Sequence, residues 1–398
     1  MKKVPLPAAR NPFEYGRELD AGELVDRREE LETISRSIIN TGKLFLIGPR
    51  RYGKTSLLAT AETQAERAGT VVLRFDAERY PTLDALAQAL LTAAGRRLTT
   101  TAEKTGDMLK RFASALLPSI TYDVEKAEVS VSLGVREKPG AKAVPILVDV
   151  LDTIERMAEE TERHVTVIID EFQAVVAEKG NKAERQIRAT VQKHRHVSYI
   201  FAGSATKLLA DMTGHSGRPF YNLGARLFLH AIPREEFKAF LHHGFAGAGF
   251  TAPDDAIDRI LDAAEEVPYS VQRLAHECWE ETRVSSDATL TLARVDATLD
   301  RVCEQEGPGY TQMWTPLTEA QKKALIAVVE EGGAKLMSLA VAQKTRVAQT
   351  TIKSALASLE KSGLVRQEGE KGLVHYRLQD PLFGRWLEFV GQAKRRVL

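Results

Sequence analysis

The chain has 398 residues, 43% hydrophobic and 27% charged, with 55 basic against 54 acidic side chains and a net charge of +1. This is an ordinary globular composition with room for two or three domains, and it excludes a polycation that coats nucleic acid with its whole surface. Two cysteines, Cys278 and Cys303, suit neither a disulfide framework nor a metal site. MKKVPLPAARNPF lacks the apolar core of a secretory signal and no run approaches 18 apolar residues, so the expected location is cytoplasmic, with no membrane partner.

Residues 1–24 read as a lead-in punctuated by proline and glycine. Leu31, Ile34, Ile38 and Ile39 then recur near helical spacing over 25–40. Short apolar runs at 43–48, 70–77, 164–173, 197–204 and 226–233 alternate with helical patterns, which predicts a parallel sheet with crossover helices. Alternating Val129, Val131, Leu133 and Val135 suggest a strand pair inserted near 120–135. The expected divisions are an α/β core over 25–233, a helical segment over 234–305, and a small C-terminal module over 316–390.

The stretch KLFLIGPRRYGKTS carries the clearest chemistry. Gly48, Pro49, Arg50, Arg51, Tyr52, Gly53, Lys54 and Thr55 spell the phosphate-cradling loop G-x-x-x-x-G-K-[ST], with a strand before it and a helix after it. Its glycines bring backbone N–H groups against phosphate oxygens, the following helix, TSLLATAETQAERAG, points its positive end at the same anion, and Ser56 joins these eight residues as a candidate nucleotide contact. Lys54 can reach the outer phosphates of ATP, and the Thr55 hydroxyl can ligate Mg²⁺. Asp170 and Glu171 end the apolar run VTVIID. Such a pair suits an aspartate holding Mg²⁺ and a glutamate activating water, although an aspartate at a strand-to-helix junction also serves as a cap. The glutamate argues against a small-molecule kinase. It favours hydrolysing enzymes with an extra strand between the loop strand and the acidic strand. Ser204, with Thr206 second, ends the next strand where a polar group can touch the γ-phosphate, or simply close a turn. Arg226, ahead of Arg218, is a candidate to reach a neighbouring subunit's nucleotide, with a surface salt bridge as the alternative.

Residues 317–378 have the layout of a winged helix-turn-helix. Ile352, Leu356 and Leu359 face inward on its third helix, leaving Gln349, Thr350, Lys353 and Ser354 outward as types that read base edges or phosphates. From 316 to 398 there are 14 Lys and Arg against 8 Asp and Glu, an excess of +6 that includes Lys394, Arg395 and Arg396. Double-stranded DNA is the expected partner, and a protein-docking module with a solvated basic face is the alternative.

The ordered series NPFEYG, DRREEL, GPRRYGKTSLL, VIIDEFQ, FAGSATKLL, RPFYNLGARLFL, VPYSVQRL and DPLFGRWL resembles the archaeal-type ATPase family. That family is a branch of the STAND and AAA+-like P-loop ATPases related to archaeal origin-recognition initiators. The resemblance spans about residues 11–390. It implies a P-loop NTPase core with a helical lid and a C-terminal winged helix, ATP and Mg²⁺ as ligands, and nucleotide-dependent homo-oligomers. By position it implies that Asp26 to Leu31 lie near the adenine, that Asp170 and Glu171 are the acidic pair, and that Ser204 is the sensor on the fourth strand. Pro268 would approach the nucleotide and Arg273 would sense it, although Glu266 and Val267 stand where the family's glycine-x-proline begins. The implied activity is an ATP-driven switch that governs DNA binding. The alternative is a STAND-type signalling or defence scaffold whose winged helix binds protein.

Overall fold

The computed structural model describes residues 10–19, 24–98, 118–123, 128–133, 143–177, 180–204, 206–368 and 374–388. The chain divides into two compact bodies. One comprises Glu18–Pro49 and Gly53–His230, and the other Met1–Arg17, Arg50–Tyr52 and Ala231–Leu398, both counted over the described residues.

The first body is built on a five-stranded parallel sheet, ordered β2-β5-β6-β1-β7. Its strands are β1 (Lys43–Ile47), β2 (Val71–Asp76), β5 (Val165–Asp170), β6 (Val197–Gly203) and β7 (Ala225–Phe228). All of β5 and β6 is buried, as expected for near-continuous apolar strands covered on both faces. β6 lies between the strand that leads into the phosphate loop and the strand that ends in Asp170. Helices α1 (Arg28–Ile39) and α2 (Lys54–Arg67) pack on each other and against the sheet. Helices α3 (Leu83–Leu98) and α4 (Ala143–Thr161) pack together, with Leu90, Leu91, Leu147, Leu151 and Ile154 fully buried. A separate antiparallel pair, β3 (Pro118–Asp123) and β4 (Glu128–Leu133), lies between these two helices in sequence. Three further helices follow the acidic strand: α5 (Gln173–Ala177), α6 (Gly180–Val191) and α7 (Thr206–Gly214).

Buried aromatic rings tie the carboxyl ends of the strands together. The Phe172 and Phe201 centroids are 4.4 Å apart, and Phe45 and Phe220 close the group. Each buried ring contributes about 1.5–3 kcal/mol. Phe172 directly follows Glu171, so this packing fixes the turn on which the acidic pair sits.

The second body begins with α8 (Arg234–Gly247), α9 (Asp254–Ala264), α10 (Pro268–Val284) and α11 (Leu292–Trp314). Phe13 in the lead-in is fully buried against Phe240 and Phe245. A Cβ on Gly244 would lie 2.5 Å from that ring, so the glycine makes its seat. Residues 306–314, which the sequence leaves between two modules, continue α11 through Pro308. Proline there removes one helix donor, and flanking packing carries the helix past it.

The C-terminal module has α12 (Glu319–Glu330), α13 (Leu339–Thr345), α14 (Gln349–Lys361), the antiparallel strands β8 (Val365–Glu368) and β9 (His375–Leu378), and α15 (381–388). Thr318 and Gln321 form a reciprocal capping box that starts α12. Ile352, Leu356 and Leu359 are buried, while Gln349, Thr350, Lys353 and Ser354 are exposed. The tip of the β8–β9 turn and the basic run Lys394–Arg396 lie outside the described residues.

Candidate nucleotide-binding site

The phosphate loop leaves β1 at Gly48, whose N–H donates to the Gly203 carbonyl at 3.4 Å. A Cβ at Gly48 would come within 2.7 Å of the Leu229 Cβ, so only glycine lets the loop turn here. Gly53 has φ +83° and caps α2, with no side chain closing the helix end and no acid in the first turn. Open space surrounds the position its Cβ would take. No side chain therefore caps the start of α2, which suits an anion at this helix end. Lys54 is 5% exposed, and its ammonium donates to the Gly48 and Pro49 carbonyls at 3.0 Å each.

The acidic strand meets the loop from across the sheet. Thr55 Oγ1 lies 3.3 Å from Asp170 Oδ2, and the Glu171 N–H donates to Asp170 Oδ1 at 2.9 Å. Asp76, at the end of β2, stands opposite Asp170 in the parallel register. Burial pushes the Asp170 carboxyl above the usual aspartate range; the N–H donated by Glu171 and the Lys54 charge only partly offset this, while the Glu171 and Asp76 charges add to it. A hydroxyl beside crowded carboxylates is a hard oxygen donor set, and Thr55 and Asp170 fit Mg²⁺. A cation there would relieve the crowding.

Glu171 sits at φ +48°, in the left-handed region where a glutamate is uncommon. Its Oε2 accepts from Ser204 Oγ at 2.8 Å, from the Ser204 N–H at 3.1 Å, and from the Gln173 carboxamide. Burial opposes the charged form of Glu171. Donation from Gln173 and Ser204, with the Lys54 charge, outweighs burial and holds its carboxyl below the usual range.

Sequence-based candidates are thus brought together at Gly48, Gly53, Lys54, Thr55, Asp170, Glu171 and Ser204. Others are engaged elsewhere. Ser56 accepts from the Leu19 N–H at 3.0 Å. Arg50, Arg51 and Tyr52, the crown of the loop, belong to the second body and are held by its side chains. Arg51 pairs with Asp380 at 2.7 Å and lies 5.0 Å over the Tyr269 ring, and the Tyr269 N–H donates to its carbonyl at 3.3 Å. Gln379 donates to the Arg50 carbonyl at 2.8 Å, and the Tyr52 hydroxyl lies 3.4 Å from Glu368. Pro268 occupies the first turn of α10, beside Tyr269.

Arg218 is gripped by both oxygens of Glu184, a carboxylate 1% exposed. This is the salt-bridge alternative, although the pair is buried at Glu184. Arg226 is exposed on β7, its guanidinium 6.0 Å from the Phe228 ring. Arg273 pairs with Glu306 at 2.5 Å. Val25 is buried, and Asp26 and Arg27 both have positive φ. Arg27 is buried and donates to the His230 carbonyl at 2.8 Å. The Thr206 side chain lies outside the described residues. Sequence reading missed Asp76 and Gln173. The only signals for them were an acid at a strand end and a glutamine two residues after the acidic pair.

Comparison with known proteins matches residues 39–210 to a family model described as AAA domain, and residues 308–389 to one described as "Probable winged helix domain". No curated protein matches the chain in sequence. Among solved structures, the chain is similar to the Walker-type ATPase PABY2304 of Pyrococcus abyssi, with a TM-score of 0.62 and 16% identity over 95% of this chain and 99% of that one. It is also similar to the ORC2 protein of Aeropyrum pernix in its ADPNP-ADP complexes, with a TM-score of 0.53 and 16% identity over 98% and 99% of the two chains. At such identities the likeness concerns the fold. The chain thus matches an AAA domain over residues 39–210 and a probable winged helix domain over residues 308–389, and its fold is similar to those of these two archaeal proteins.

Proposed function

We propose that the protein binds ATP with Mg²⁺ and hydrolyses it, and that nucleotide state governs how the winged helix engages double-stranded DNA. The observation that carries this reading is the closeness of Thr55 to Asp170 across the sheet, beside an uncapped helix start and a buried ammonium. In this reading the α2 N–H groups and Lys54 hold the phosphates. Thr55 and Asp170 hold Mg²⁺, which would supply charge neutralisation between the outer phosphates. Glu171 takes the proton of the attacking water. Ser204 holds Glu171, and Arg226, exposed on an edge strand, is the arginine left to serve a neighbouring subunit. Pro268 and the Asp26–Leu31 stretch remain candidates to approach the nucleotide.

Support for DNA as the partner comes from α14. Gln349, Thr350, Lys353 and Ser354 are exposed there, with no acidic side chain before Glu360. A second reading, a scaffold whose winged helix docks on protein, draws on Met337 and Leu339, exposed at the start of α13.

Equilibrium binding of a fluorescent ATP analogue tests the reading directly. Lys54→Ala should abolish binding, and Glu171→Gln should retain it while turnover falls by two to three orders of magnitude. A wild-type protein that neither binds nor hydrolyses ATP refutes the proposal. Duplex DNA affinity that stays absent at low salt in both the ATP and ADP states removes the DNA part and favours the scaffold.

A further inference from the structure

Gln173 opens α5 two residues after Glu171, and its environment is unusual. Its Nε2 donates to Glu171 Oε2, while its Oε1 is buried without a hydrogen-bond partner. A carboxylate can only accept, so the carboxamide must turn its nitrogen to Glu171 and leave its own oxygen stranded. Burying an unmet acceptor is unfavourable, and a packing role would not require one. The neighbourhood is cut to fit this side chain. A Cβ on Gly203 would lie 2.2 Å from Gln173 Oε1 and 2.5 Å from the Leu209 Cδ1.

The cluster treats the two oxygens of Glu171 differently. Oε2 collects three donors, from Gln173, the Ser204 hydroxyl and the Ser204 N–H. Among the described residues, no hydrogen bond reaches Oε1. Phe172, packed 4.4 Å from Phe201 and donating its N–H to the Ala202 carbonyl at 2.8 Å, fixes the turn between Glu171 and Gln173. The carboxylate is thus tethered through one oxygen and presents the other.

We propose that Gln173 is a positioning residue for hydrolysis: together with Ser204 it pins Oε2 of Glu171 so that Oε1 addresses the attacking water. This rests on the reading of the site as an ATPase. Gln173 acts through Glu171 and touches neither nucleotide nor metal. Water transfers a proton to Oε1 as its oxygen forms the new bond to the γ-phosphorus and ADP leaves; no other reactant is needed.

The test is a double-mutant cycle in the full-length protein. Gln173→Met keeps the bulk and removes the donor. It should lower kcat by about ten- to a hundredfold, within the range that general base catalysis contributes, with the Kd of a fluorescent ATP analogue unchanged within twofold. Ser204→Ala, which removes a second tether, should act in the same direction. In a Glu171→Gln background, measured by single-turnover hydrolysis, Gln173→Met should cost less than twofold more, because nothing remains to position. An equal loss in both backgrounds overturns the proposal, as does a fall in ATP affinity that matches the fall in kcat. A rise in turnover overturns it too, since the cluster would then restrain Glu171. Retained ATP binding shows that the variants fold. A wild type without ATPase activity sinks the functional reading together with this inference, whereas an active wild type and a fully active Gln173→Met sink the inference alone.

Discussion

The sequence offers Arg226, and after it Arg218, as the arginine for a neighbouring subunit's nucleotide, and one substitution separates them. Arg218→Ala would leave Glu184 as a carboxylate 1% exposed, stripped of a two-pronged partner. Breaking a buried pair from one side costs about 3–5 kcal/mol, mainly as the uncompensated charge. The Arg218 side chain is 27% exposed, so water reaches its end of the pair and the low end, about 3 kcal/mol, applies. For a body of this size each kcal/mol moves the melting temperature by about 2–4 °C, so Arg218→Ala should melt about 6–12 °C below wild type. Replacing both partners at once, Arg218→Met with Glu184→Leu, should recover most of that loss, because burying two apolar groups is close to neutral. Arg226→Ala, at an exposed position, should melt with wild type. Thermal melts of the four proteins at one pH and salt concentration make the comparison. An Arg218→Ala variant that melts within 2 °C of wild type refutes the reasoning, and a loss of turnover with unchanged melting would return Arg218 to the role of a charge-stabilising arginine.

Phe13→Ala should destabilise the second body by about 3–5 kcal/mol, the usual cost of emptying a buried aromatic site, and hydrogen exchange on α8 and α10 would report it. Unchanged exchange there would mean that the lead-in contributes nothing. Lys353→Ala should weaken duplex DNA binding uniformly across sequences and reduce the slope of log K against log salt by about one; an unchanged slope takes α14 out of the DNA surface. Burial pushes the Cys278 thiol up to about 12 and the Cys303 thiol up to about 11. Both groups stay protonated in the folded chain after the unfolded thiols ionise. Their contribution is therefore complete below about pH 8.5 and declines as pH rises toward 11–12. Aromatic disulfide reagents should label neither thiol at pH 8 without denaturant. Rapid labelling of the native chain would contradict their burial.

What the sequence determined by itself is what is written in contiguous residues. Gly48 to Thr55 state a phosphate loop because backbone geometry, ammonium and hydroxyl are all specified within eight positions. The sheet was legible because strands covered on both faces must be apolar throughout, and α14 because burial of Ile352, Leu356 and Leu359 imposes a helical period. Tertiary structure decided whatever depends on which strands lie side by side. Strand order sets Asp76 opposite Asp170, 94 positions away, and brings Ser204 onto Glu171 across 33. It also determined that Arg218 is committed to Glu184, that Asp380 holds Arg51, and that Gln173 reaches back to Glu171. A local pattern specifies which face of an element is buried; it does not specify the neighbour against which that face is buried, and the chemistry of this site lies in those pairings.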